Sequence, residues 1–62
     1  MPEIIIYLAE GRTVDAKRAV VKDITDSIVK NFNVGAESVA IQIVEASREN
    51  KAKGGLLFTD RK

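Results

Sequence analysis

The chain reads as an α/β (α+β) fold: a βαβ unit with parallel strands, followed by a terminal hairpin or short strand. Three observations predict it. An unbroken β-branched run opens the chain, and an eighteen-residue stretch free of Gly and Pro follows with apolar residues at helical spacing. A second β-branched stretch then alternates in polarity.

The opening, Glu3-Ile4-Ile5-Ile6-Tyr7-Leu8, is apolar without alternation after Glu3. Such a strand is expected to be covered on both faces. Glu10-Gly11-Arg12 interrupts it, and Thr13 is placed to cap a helix with Asp15 in the first turn. From Val14 to about Asn31, Val20, Val21, Ile24 and Ile28 recur at steps of three and four, and Phe32 prolongs the stripe. Arg18, Lys22, Asp26 and Lys30 fall on the opposite face, and Asp26 with Lys30 has the favourable acid-first order. Asn33-Val34-Gly35 reads as the helix stop.

Residues 38–45 alternate: Val39, Ile41 and Ile43 share one face, and Ala40, Gln42 and Val44 the other. An eighteen-residue helix is roughly 27 Å long, and eight strand residues span roughly 26 Å. A helix that runs back the whole length of the sheet returns the second strand parallel to the first, by a right-handed crossover. The remainder is polar up to Lys53, turns at Gly54-Gly55, and ends in the short apolar run Leu56-Leu57-Phe58.

Composition narrows the function. Leu, Ile, Val and Phe make up about 31% of the 62 residues, above the roughly 20% below which chains tend to be disordered. Residues 1–62 are therefore expected to form one folded domain. A domain this small is marginal alone, and disulfides, metals or self-association are the usual remedies. Cys and His are both absent, which removes disulfides, thiolate and imidazole catalysis, and His/Cys metal sites. Self-association is left. One helix on a two-stranded sheet also leaves a sheet face uncovered, and Leu56-Leu57-Phe58 would pack on a neighbouring subunit.

The net charge is +1 with 5% aromatic residues, so neither a basic stripe nor stacking aromatics suggest nucleic-acid binding. No apolar run approaches the roughly 20 residues that span a bilayer, and no export signal stands at the start. The expectation is a cytoplasmic protein without cofactor or metal, with no nucleic-acid or membrane partner.

Candidate acids and bases reduce to carboxylates, lysines, Tyr7 and the chain terminus. Glu10, Glu37 and Glu45 fall at strand or loop ends and read as solvated. Pro2 is more informative, because removal of Met1 by ordinary processing leaves a secondary amine at the start of a strand. Burial and a nearby cation both lower the pKa of such an amine, making it a usable base near neutral pH. Arg12, at the carboxyl end of the first strand, offers the bidentate donors that suit a carboxylate or a developing enolate.

Together these features resemble the 4-oxalocrotonate tautomerase family. The likeness runs the length of the chain without a gap: Pro2, Glu10-Gly11-Arg12 after the first strand, the long helix, Ser38-Val39 opening the second strand, Glu45 closing it, and Gly54-Gly55. The resemblance implies a tautomerase, an isomerase that moves a proton between the enol oxygen and a carbon of a 2-oxo carboxylic acid. Pro2 would be the catalytic base and then acid, and Arg12 of another subunit would bind a substrate carboxylate. It further implies a homohexamer, a trimer of dimers, with active sites at subunit contacts.

Two positions depart from the family pattern. Ala40 stands where the prototype carries a second arginine that holds the reacting end, and Lys51 where it has a pocket phenylalanine. Arg48, Lys51, Lys53 and Arg61 are the cations available to replace that arginine, with Lys51 best placed in register. Two other readings stay open: a relative that uses the proline amine for decarboxylation or hydration, and a non-catalytic oligomeric βαβ module that binds an anion through the basic residues near Lys51.

Overall fold

A computed structural model describes residues 1–61 and contains the expected βαβ unit. Strand β1 (Glu3–Ala9) pairs with β2 (Ala40–Ala46) in parallel, from Glu3 opposite Ala40 to Ala9 opposite Ala46. Paired residues of a parallel sheet point to the same face. Ile4 and Ile41, Ile6 and Ile43, and Leu8 and Glu45 therefore share one face, while Ile5 with Gln42 and Tyr7 with Val44 share the other. Helix α1 (Val14–Phe32) covers the first of these faces. No helix among the described residues is long and apolar enough to cross a membrane.

The helix begins where Thr13, with extended backbone, accepts the Ala16 N–H on Oγ1 at 3.1 Å. It ends at Asn33, whose left-handed backbone (φ 55°, ψ 50°) lets its N–H reach the Val29 carbonyl at 3.1 Å. Asparagine alone makes the stop; Gly35 has an ordinary φ of −76°. On the outer face Arg18 pairs with Asp15 at 2.7 Å. Asp26 pairs with Lys22 at 2.9 Å, where the spacing had suggested Lys30. Both lysines lie one turn from Asp26, and Lys30 stands in the last turn, where its charge complements the free carbonyls.

The second strand starts two residues later than its alternation suggests. Ser38 donates through Oγ to the Gly35 carbonyl at 2.8 Å, while its backbone N–H bonds the same oxygen at 3.0 Å. These local bonds wind Ala36–Ser38 into a 3₁₀ turn. Past β2, the Ser47 hydroxyl caps another such turn, Arg48–Asn50. The chain then folds into the hairpin β3 (Ala52–Lys53) and β4 (Leu56–Leu57). Gly54 and Gly55, at φ 61° and 83°, form its two-residue turn, the geometry that suits the strand twist and that side chains resist.

These elements do not enclose a core. None of the described residues is buried, and Ile4, Ile6, Ile41, Ile43, Val21, Ile24 and Ile28 are only half-covered. The open face leaves Tyr7 70% and Ile5 46% exposed, and Phe32 at the end of the helical stripe is 64% exposed. Thus β1, whose composition suits cover on both faces, receives it on one. The surface area is 4985 Å², whereas a folded monomer of this mass exposes about 4,000 Å². The radius of gyration is 14.7 Å, against about 11 Å for a compact domain of this length. The molecule is a slab of 43 × 21 × 14 Å.

Two outcomes follow from the helix. Thr13→Ala removes the cap and should cost about 1 kcal/mol in urea unfolding; an unchanged midpoint would show the cap is idle. The hydrogen bond and charge of Asp26 raise the Lys22 pKa, so the pair stabilises fully below the ordinary lysine range and fades as pH rises through the raised value. Lys22→Met should slightly flatten the alkaline limb of the stability curve; a limb as steep as the parent's would show that this exposed pair contributes nothing.

Candidate active site

In an open parallel sheet the strand carboxyl ends are where ligands are usually held, because loops leaving both strands converge there. Here the loop after β1 and the segment after β2 meet in that way. The Glu10 N–H donates to the Ala46 carbonyl at 2.9 Å, prolonging the ladder by one residue. Gly11 follows at φ 122°, a conformation that favours glycine, and turns the chain toward α1. Between the two segments lies an open cleft of about 360 Å³, walled by Leu8, Glu10, Arg12, Arg48 and Phe58.

Arg48 is anchored within this cleft. Its guanidinium donates from Nη2 to the Phe58 carbonyl at 2.8 Å and lies 5.9 Å from the centre of the Phe58 ring. Its backbone N–H makes a long, 3.4 Å contact to Glu10 Oε1. Lys51 is fixed from another side, because the Phe58 N–H donates to the Lys51 carbonyl at 2.7 Å. The Lys51 ammonium sits 5.8 Å from the same ring centre, within the range of a cation–π contact. Lys51 is not one of the residues walling the cleft. Arg12 has no hydrogen-bond or ion-pair partner among the described residues, so its guanidinium is available to a ligand.

Of the other cations, Arg61 is engaged with the Lys53 carbonyl at 2.9 Å. Lys17 pairs with Glu45 at 2.8 Å across the helix–sheet boundary. Lys17 also lines a smaller cleft of about 140 Å³ between helix and sheet, walled with it by Ile6, Leu8, Arg12, Val20 and Ile43. Glu10 and Glu45 are both exposed, as their places at strand ends suggest, with Glu45 ion-paired to α1 and Glu10 turned toward the Arg48 backbone.

Pro2 lies at the other end of the sheet. It is half-buried, and its carbonyl accepts the Ala40 N–H at 3.0 Å. The seven residues of β1 separate Pro2 from the Arg12 cleft by roughly 23 Å. One chain thus brings Arg12 and Arg48 together, with Lys51 close by on Phe58, and keeps Pro2 apart from all three. The register of the hairpin was the signal for Phe58: counting back from Gly54-Gly55 sets it opposite Lys51, next to the turn that carries Arg48.

The sequence profile of the family described as "Tautomerase enzyme" matches residues 2–61. A Bradyrhizobium diazoefficiens protein named "Probable tautomerase" is 49% identical over 61 residues, spanning 98% of this chain and 91% of its own. Among solved structures, a 4-oxalocrotonate tautomerase homologue superposes with a TM-score of 0.93 at 31% identity, over 100% of this chain and 98% of the other. A 4-oxalocrotonate tautomerase of Chloroflexus aurantiacus, described as a heterohexamer, has the same fold, with a TM-score of 0.88 at 21% identity and full coverage of both chains. A parallel βαβ unit with a terminal hairpin, matched end to end by profile, sequence and structure, belongs to the tautomerase family.

Proposed function

We propose that the chain is a tautomerase of 2-oxo acids in which Pro2, freed by removal of Met1, is the general base and Arg12 of a neighbouring subunit holds a substrate carboxylate. The observation that carries this reading is the separation of the two residues. A site that uses both must draw them from different chains, and the chain has uncovered apolar surface with which to bring another copy close. The family's end-to-end match supports the reaction class. The exposed sheet face and the extended shape support self-association, which on this reading is a homohexamer built as a trimer of dimers; the Chloroflexus relative of the same fold is also a hexamer, of unlike chains.

The chemistry needs no other participant. With Met1 attached, the Pro2 nitrogen is an amide and has no basic lone pair. Once freed, the amine takes the enol hydroxyl proton; the O–H electrons form the carbonyl, and the carbon–carbon π electrons take a proton at carbon from the prolinium. The amine is regenerated at the end of the cycle. Two effects lower the proline pKa toward the neutral range where such a base works best: cover by a neighbouring chain and the positive field of Arg12. Arg12 supplies a planar fork for the carboxylate and opposes the charge that develops on the enolate.

Ketonisation of phenylenolpyruvate tests the reading. Protein that retains Met1 should fall about 10²–10⁴-fold below trimmed protein, while Pro2→Ala, which still ends in an amine of different basicity, should be intermediate. Equal rates for trimmed and Met1-bearing protein would end the proposal. Arg12→Ala should lower kcat/KM by about tenfold or more, through a higher KM from the lost carboxylate contact and a lower kcat from the lost positive field.

Assembly is tested separately by light scattering. The parent should run as a hexamer, and Tyr7→Asp, which puts a charge on the open sheet face, should dissociate it. A folded parent monomer at micromolar concentration would contradict the assembly.

A further inference from the structure

We propose that Arg48 is a second substrate-binding residue, which with Arg12 makes a paired-guanidinium clamp for one anionic group. This inference rests on the tautomerase reading above and adds a second cation to the Arg12 end of the site.

Three observations carry it. The first is shared place: Arg12 and Arg48 wall the same cleft, although they are far apart in the chain and come from the ends of different strands. The second is orientation. Arg48 is held by a single side-chain hydrogen bond to the Phe58 carbonyl and by the Phe58 ring. A guanidinium has five N–H donors in a fixed fork, so donors remain for a ligand while the side chain is already ordered. Such pre-ordering lowers the entropic cost of binding. The third is charge. The two guanidiniums face one carboxylate in the cleft, Glu10, whose Oε1 is turned to the Arg48 backbone N–H. The cleft wall therefore carries more positive than negative charge.

Beside Pro2, Ala40 offers only its backbone N–H, already given to the Pro2 carbonyl. Anion recognition is thus concentrated at one end of the substrate. The clamp selects enols that present a carboxylate to the Arg12–Arg48 cleft and discriminates little on the charge of the group that lies beside Pro2. Lys51, resting on Phe58 outside the cleft wall, adds to the local positive field without a direct contact.

The test is a binding measurement that does not depend on turnover. Trimmed protein is titrated with 3-phenylpropanoate and with its uncharged carboxamide, while the Nε–H signals of the four arginines are followed by ¹⁵N NMR. The carboxylate should shift the Arg12 and Arg48 signals, and the amide should shift neither. Arg48→Ala should weaken carboxylate binding by about tenfold or more, the size of one charge-assisted hydrogen bond. Arg48→Lys, which keeps the charge and loses the fork, should fall between the two and serves as the readout if the alanine variant does not assemble. Arg18→Ala, on the outer helix face, removes a positive charge elsewhere and should bind like the parent. Carboxylate affinity within twofold of the parent in Arg48→Lys and in any folded Arg48→Ala, or an unshifted Arg48 signal, overturns the clamp. Failure of the Met1 comparison with the clamp intact would instead overturn the proline mechanism alone.

Discussion

Everything in this molecule depends on the parallel pairing of β1 with β2. Pairing in that sense requires a helix long enough to return the chain to its starting end, and α1 supplies it. The same pairing sends the amino terminus to one end of the sheet and both following loops to the other. Pro2 and the arginine cleft are consequently a strand's length apart, whatever their side chains do. A reaction that needs both must recruit a second chain, and the sheet's second face is left bare to receive one.

Size and function are in this way one problem. A 62-residue chain with one helix and one pair of long strands has too little material to wrap a core. The apolar side chains that remain exposed, Ile5 and Tyr7 on the sheet and Leu56 and Leu57 on the hairpin, are poor surface for a monomer and suitable surface for an assembly. The small hairpin does more than end the chain. Its turn places Phe58 beside Lys51, and Phe58 in turn holds Arg48 at the cleft.

Much of this is legible in the sequence. The stripe from Val20 to Phe32, the Thr13 cap and the Gly54-Gly55 turn are local signals, each determined by a few neighbouring residues, and each stands where its chemistry puts it. Features set by competition between partners were less legible. Asp26 had two lysines within reach, and spacing alone could not tell that Lys22 would win it. Ser38 reads as strand by alternation, yet its hydroxyl and backbone both close on Gly35. Pro2 and Arg12 stand out in the sequence as chemistry, but their separation emerges only from the topology. The share of Arg48 in the cleft depends on its tie to Phe58, ten residues away across a turn. Register with the family pointed first to Lys51, whereas the residue that walls the cleft with Arg12 is Arg48.

The central claim is that an amino-terminal secondary amine is kept unprotonated by its surroundings. The most direct measurement is an NMR titration of ¹⁵N-labelled Pro2 in Met-trimmed, assembled protein. The account predicts a nitrogen that loses its proton well below the range of a free proline amine, and that moves back toward that range in Arg12→Ala. A nitrogen that stays fully protonated through neutral pH, unchanged by loss of Arg12, would contradict it.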